Sequence, residues 1–360
     1  MKNVDLLNSE ILNLPTYRGD NDFLNHLDKL YSDYLKLIKL CKGNISKLIT
    51  SKLPLIEKEI DLIKESVTLY FKGKTSESYS KISKCLTLLN QNSFLEVGYI
   101  EGDFYRIRNA NNNNLSRKDI FHIPFQIREK VATQRYSIPG LPCLYIADSI
   151  YTAWEEMNRP NFNDIHISRF NFKEKNFNLL FLNTSTREIR ERYISEDKIV
   201  NENIVVKFLS FWPLLAACSY NVSKKQDVFK PEYIIPQMVL QWIIDTPNID
   251  GVQFKSNRLL SNSKNVGSFN NVAIPVQSNK QNGFCDILTQ KIQFTEPLSW
   301  SLLDISLVDL TSSKTLEDLS VSSIQKASYI ELINGEKTDY FKTKFGVMEK
   351  KLLSMKLEYI

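Results

Sequence analysis

Histidine is scarce in this chain. Only His26, His122 and His166 occur in 360 residues, and none stands at a spacing that suits a metal site. No segment reaches the roughly 18 unbroken apolar residues that a membrane crossing needs. The first twenty residues carry Asp5, Glu10 and Asp20 and no apolar run, so no signal peptide is expected. The five cysteines (Cys41, Cys85, Cys143, Cys218 and Cys285) are isolated, odd in number and mostly set in apolar surroundings. They read as buried reduced thiols of a cytoplasmic protein, not as a disulfide framework. A thiol pair of Cys143 or Cys218 with His122 lacks the local basic context that activates a cysteine. There is no Gly-rich phosphate loop, no Gly-x-Ser-x-Gly elbow and no internal repeat. A net charge of +5, spread along the chain, is too mild for a nucleic-acid groove.

What is present suits a globular protein. The chain is 42% hydrophobic and 24% charged, with ample material for a core, and its length suggests two or three domains. Leu24, Leu27, Tyr31, Tyr34, Ile38 and Cys41 recur at spacings of three and four, which predicts an amphipathic helix closed by Gly43-Asn44. Ile49 to Tyr70 continues the pattern in a second helix, kinked or started at Pro54, and Tyr79 to Leu89 forms a third after Gly73. Residues 21–92 therefore read as an antiparallel helical bundle. Its heptad-like run fits core packing within one chain better than a dimer seam.

After Asn90-Gln91-Asn92 the pattern changes to short strands. These are predicted at Phe94–Gly98, Phe104–Arg108, Cys143–Ala147, Ile165–Phe170, Leu179–Leu182, Gly251–Phe254 and Asn271–Pro275. Polar tips are expected at 109–114 and 312–314. Ile204–Ser219 reads as a buried helical segment broken at Pro213, Pro236 as the start of a helix to Ile244, and Val347–Met355 as a terminal helix. The fold class expected is α+β: an N-terminal helical domain (1–93), then a mixed-sheet domain (94–360).

The chain is organised around Arg135 to Glu156. A basic loop tightens through Pro139-Gly140 and Pro142, passes into the apolar strand Cys143–Ala147, and reaches the helix N-cap pair Asp148-Ser149. Thr152 to Glu156 then reads as helix. Ala153 and Glu156, three apart, share a helix face, and that face is expected to turn inward, with Glu155 pointing away.

Several elements in this order resemble the signature of the RES domain, a family named for its Arg, Glu and Ser. They are Phe104-Tyr105-Arg106, Arg135-Tyr136, Gly140, Leu144-Tyr145-Ile146-Ala147-Asp148-Ser149, Thr152-Ala153-Trp154-Glu155-Glu156 and Asp250-Gly251-Val252-Gln253-Phe254-Lys255-Ser256. The match covers roughly the middle half of the chain. A long helical segment before Arg106 and an insertion-rich stretch between Glu156 and Asp250 depart from the short form of the family. The resemblance implies a mixed β-sheet like that of the ADP-ribosyltransferases and breakdown of NAD, which would be substrate, with phosphate as a conceivable co-substrate. It further implies a bacterial toxin or defence effector and leaves room for an antitoxin protein and a homo-oligomer. The composition gives no reason to expect a metal, a nucleic-acid partner or a membrane partner.

The chemistry of that reaction selects residue types. Nicotinamide leaves NAD as a neutral molecule, through an oxocarbenium-like transition state akin to that of glycoside hydrolysis. An anion is needed near the ribose, and Glu156 is the candidate, although a helical Glu is more commonly a solvated carboxylate. Arg106 and Arg135 offer forked cationic donors for phosphate or ribose oxygens, although a lone Arg is usually a surface residue. Arg108 competes with Arg106, because alternation puts both on one strand face. Tyr145 could stack on the cationic nicotinamide ring or hydrogen-bond the ribose, Ser256 could bond the nicotinamide amide or its ribose, and Tyr136 could line the cleft. Taken singly, Tyr145 would be core and Ser256 a turn residue. Two rivals stand beside NAD cleavage: ADP-ribosyl transfer to a protein through the same site, and an inactive binding module whose helical part recruits a partner.

Overall fold

The computed structural model describes residues 6–110, 114–172, 177–193, 202–259, 265–306 and 327–360. The centre of the polar tip expected at 109–114, and all of that expected at 312–314, lie outside them. The longer helices and those at the site are α1 (Phe23–Lys39), α2 (Gly43–Phe71), α3 (Thr75–Gln91), α4 (Ile150–Glu156), α5 (Glu202–Cys218), α6 (Ile234–Asp245) and α7 (Lys344–Leu353). The strands are β1 (Val97–Tyr99), β2 (Gly102–Asn109), β3 (Cys143–Ala147), β4 (Ile165–Phe172), β5 (Asn178–Leu182) and β6 (Gly251–Lys255), followed by β7 (Val266–Gly267), β8 (Asn270–Pro275), β9 (Gln293–Phe294), β10 (Leu298–Ser299), β11 (Ala327–Ile330) and β12 (Thr338–Asp339). The class is α+β, with an N-terminal helical region and a mixed nine-stranded sheet.

One compact unit comprises Met1–Val97, Thr133–Ile138 and Leu180–Pro247. The helical part thus takes in α5 and α6 from later in the chain as well as α1 to α3. Helix α1 buries Phe23, Leu27, Tyr31, Tyr34, Leu37 and Ile38 on one stripe, and Asp22 caps its start by accepting the Asn25 N–H at 3.0 Å. Helix α5 is buried almost all round from Val205 to Cys218 and packs along α2.

Pro213 does not break α5, and the surrounding side chains explain why. Proline supplies no N–H, so the carbonyl four residues earlier loses its helical donor. That carbonyl, Leu209 O, accepts the Tyr34 hydroxyl instead. Tyr31 OH donates to Pro213 O at 2.9 Å, and Leu214 N–H donates to Glu59 Oε1 at 3.0 Å. Glu59 is fully buried, and burial pushes its carboxyl pKa well up. Two tyrosines and one acid from α1 and α2 therefore rewire the irregular turn of α5. Pro54 likewise lies inside α2, which begins at Gly43, earlier than the periodicity indicated.

This shared core carries a prediction. Deleting residues 1–93 is expected to strip α5 and α6 of their apolar neighbours and their polar partners together, leaving a protein that aggregates or loses helical signal. Circular dichroism and light scattering check it. A folded, monodisperse truncation would show that the later helices do not depend on α1 to α3.

The second unit comprises Gly98–Ala132, Pro139–Leu179 and Asn248–Ile360. The sheet order is β1-β5-β6-β8-β3-β2-β4-β10, with β9 also on β4. Strands β2 and β4 pair over their full length, Gly102 opposite Phe172 through Asn109 opposite Ile165. β3 pairs with β8, from Cys143 opposite Pro275 to Ala147 opposite Asn271. Gly251 lets β6 lie close to β8, since a Cβ there would come within 2.5 Å of Ala273 O. On one face Tyr105, Ile107, Ala147, Ile165 and Ile167 meet Ile150, Tyr151 and Ala153 of α4 and Phe345, Met348 and Leu352 of α7. That packing fixes where α4 ends.

Candidate functional site

The turn from β3 into α4 is held from three directions. Asp148 donates its N–H to Asn270 O (3.0 Å), and its carboxylate accepts Asn270 N–H (2.8 Å) and Thr152 Oγ1–H (3.2 Å), tying the end of β3 to the start of β8. Ser149 is the N-cap expected from the sequence and accepts Thr152 N–H at 3.1 Å. The third hold comes from α7. Glu349, buried there, accepts Ile150 N–H at 2.8 Å and the Tyr340 hydroxyl at 2.5 Å.

The last residue of α4 is Glu156. Its Oε1 accepts Ser256 Oγ–H at 2.7 Å and Asn271 Nδ2–H at 2.9 Å, and its Oε2 lies 3.4 Å from Arg258 Nε. The Glu156 side chain keeps 35% of its exposure, whereas Ser256 is fully buried. Ser256 is fixed by its own N–H, which donates to Phe269 O at 2.8 Å. Asn271 is fixed by its place opposite Ala147. Arg258 also donates to Glu155 O (3.0 Å) and Asn158 Oδ1 (2.5 Å), so it braces the end of the helix as well as facing its carboxylate. The result is a half-open carboxylate with one oxygen held by two neutral donors and the other beside a cation. Such an oxygen can take a sugar hydroxyl or stabilise positive charge on a carbon.

The structure thus brings Glu156 and Ser256 together, with the Ser256 hydroxyl on the carboxylate, and adds Asn271 and Arg258. Sequence reasoning missed both. The signal for Asn271 was present: two adjacent amides, Asn270-Asn271, open an otherwise apolar strand, and both are buried. Arg258 left no such mark.

Arg106 reaches the backbone of Tyr145, while the two side chains leave opposite faces of the sheet. Strands β2 and β3 pair at Tyr105 and Ala147, and Arg106 Nη1 donates to Tyr145 O at 2.5 Å. Burial, with Arg108 nearby, lowers the Arg106 pKa to about 9. Tyr145 stands opposite Ala273, two residues from Asn271, which puts its ring on the sheet face that carries Asn271. Arg135 and Tyr136 belong to the other compact unit. There Arg135 donates to Cys218 O (2.9 Å) and Tyr220 O (2.8 Å) at the end of α5 and lies over the Tyr233 ring. Those contacts complete a helix C-terminus, a job any forked cation does well.

One expectation is overturned. Glu155 does not point away from the protein: it is 6% exposed and pairs with Arg159, Nε donating to Oε2 at 3.0 Å and Nη2 lying 2.9 Å from Oε1. The short α4 is packed on more than one side, so both consecutive acids are engaged. Glu155→Gln is therefore expected to cost about 1 kcal/mol of stability, Arg159 being half exposed, while leaving turnover per folded molecule unchanged. Thermal melts and kcat check this; a turnover loss without a stability loss would place Glu155 in the chemistry.

Among the described residues no group of His, Cys, Asp and Glu could hold a metal ion, and no helix is long and apolar enough to cross a membrane. The five cysteines are buried and free. No protein-family model matches the chain, and no solved structure matches it. It is similar to a Bacillus subtilis (strain 168) protein named "Putative toxin YopC", 29% identical over 346 residues that cover 92% of this chain and 76% of that protein.

Proposed function

We propose that this chain cleaves the nicotinamide–ribose bond of NAD with Glu156 as the catalytic carboxylate, and that it acts as a toxin by draining NAD. The observation that carries the reading is the clamp on Glu156 by Ser256 and Asn271, because it joins the Glu and Ser of the RES-like signature through a 2.7 Å hydrogen bond across 100 residues of sequence. The resemblance of the signature to that family supports the chemistry, the ADP-ribosyltransferase-like character of the sheet and the bacterial setting. The name of the Bacillus relative supports the toxin role.

In the proposed reaction the bond from C1′ to the ring nitrogen breaks, and nicotinamide leaves with the bonding pair. The positive charge that moves onto C1′ and the ring oxygen is met by the Glu156 carboxylate. Ser256 and Asn271 keep that carboxylate from turning toward bulk water. An acceptor oxygen, from water or phosphate, then bonds to C1′ and loses its proton. The Tyr145 ring, on the sheet face that carries Asn271, is the candidate for the face of the nicotinamide, whereas Arg106 alternates to the other face of β2 from Tyr105 and is not placed beside this carboxylate. The test is incubation of the purified protein with NAD, with and without inorganic phosphate, and identification of the products. Free ADP-ribose names water as acceptor, and a 1″-phosphorylated ADP-ribose names phosphate. ADP-ribose attached to protein would replace this reading with the transferase one.

A further inference from the structure

Within the helical unit, the end of α2 meets the loop that leads into α6. Tyr70 and Phe71 close α2. Phe229 of the loop stacks on the Tyr70 ring, with centroids 6.1 Å apart, and meets Phe71 edge-on at 6.3 Å. Despite this packing Phe71 stays 45% exposed and Phe229 49%, and the neighbouring Val228 is 94% exposed. No other large apolar side chain among the described residues is as exposed as Val228. Apolar side chains exposed singly are ordinary, whereas three gathered at one spot call for a partner.

The loop is held in place from below. Buried Glu232 pairs with Arg18 at 2.8 Å and accepts the Ser223 N–H at 3.2 Å. Asp227 N–H donates to Lys224 O at 3.2 Å, and Lys230 Nζ donates to Asp227 O at 2.6 Å. Val228 therefore projects from a built turn. Lysines surround it. Lys72 and Lys74 follow Phe71, while Lys224, Lys225 and Lys230 flank Val228-Phe229, and all but the half-buried Lys230 are exposed. Two acids stand among them, Asp227 and Glu77, the second paired with Lys74 at 2.9 Å. The result is an apolar tip inside a basic collar.

We infer that Phe71, Val228 and Phe229, with the lysines around them, dock this protein on an anionic phospholipid surface. The charge complementarity is direct: lysines meet phosphate and carboxylate headgroups while the apolar tip enters the acyl boundary. Other occupants fit less well. A second copy in a two-fold contact would set one lysine collar against the other. A nucleic-acid backbone would use the lysines and leave Val228 in water. A protein would need a socket shaped to the tip and an interface far larger than three side chains supply. A fluid lipid surface needs no matching shape. Long apolar runs bear on membrane crossing, whereas surface docking depends on where lysines and apolar side chains meet. The inference is independent of what reacts at Glu156.

The test is co-sedimentation of the full-length protein, without NAD, with vesicles of phosphatidylcholine alone or mixed with phosphatidylserine. Binding to the mixed vesicles is expected, falling as salt is raised, with little binding to the neutral ones. Val228→Asp is expected to weaken it about ten-fold, and the pair Lys224→Glu and Lys225→Glu about ten-fold or more. All three positions are exposed, so these variants should fold. Val228→Leu, which keeps the tip apolar, should bind at least as well as the parent. Lys42→Glu with Lys47→Glu is the control for net charge, since Lys47 lies about 36 Å from Phe71 along α2. It should change binding by less than about two-fold. Absence of binding to the mixed vesicles would overturn the inference. So would equal weakening by the control pair, or binding that Val228→Asp leaves unchanged, because either would mean attraction by charge alone.

Discussion

Glu156→Gln is expected to lower NAD turnover by about 100-fold or more while leaving the melting temperature and NAD affinity close to those of the parent. Glutamine keeps the size of the side chain and one carbonyl oxygen, which can still accept both Ser256 Oγ–H and Asn271 Nδ2–H. What it removes is the charge. Bound NAD gains little from that charge before the bond breaks, whereas the developing oxocarbenium gains most, so the loss falls on kcat and not on binding. The half-open environment of Glu156 favours a site role over a core role, and the buried, Arg159-paired Glu155 beside it is the natural comparison. Kinetics and calorimetry on the two Gln variants decide. Full activity in Glu156→Gln, or a loss confined to Glu155→Gln, would remove Glu156 from the chemistry.

The second large effect lies far from Glu156 in sequence. Glu349→Ala is expected to destabilise the protein by about 2–4 kcal/mol, because the buried Ile150 N–H and Tyr340 hydroxyl lose their shared acceptor at one stroke. It should also depress turnover in the molecules that remain folded. Ile150 begins the short helix that ends at Glu156, and without that anchor the helix is free to shift by a fraction of its pitch, which is enough to misplace a catalytic group. Glu349→Gln retains an acceptor oxygen and should recover most of both losses. Denaturant unfolding and kcat on the two variants test this. An alanine variant as stable and as active as the parent would mean that α7 merely covers α4.

How much of this could be read from residues alone varied with the range of the interaction. Strand Cys143–Ala147, the Ser149 cap and the helix through Glu156 are local: an apolar run, a short polar cap and a helical tail, each visible within a few residues. The three N-terminal helices were likewise legible from their stripes. Pro213 misled, because proline predicts a break only when nothing replaces the missing hydrogen bond, and here Tyr34 and Glu59, each more than 150 residues earlier, supply the replacements. The inward burial of Glu155 misled for a related reason: a helix of seven residues has too few turns for periodicity to choose a face. Asn271, Arg258 and Glu349 reach the site only through sheet register and the docking of α7. Their roles depend on contacts that the local pattern does not encode.

The central claim is that Glu156 breaks the nicotinamide–ribose bond. Nicotinamide release from NAD by the parent protein and by Glu156→Gln, followed side by side at equal folded concentration, tests it most directly. Steady release by the parent and release reduced at least about 100-fold in the variant is the predicted result. Intact NAD after prolonged incubation with the parent, or equal release by both proteins, would contradict it.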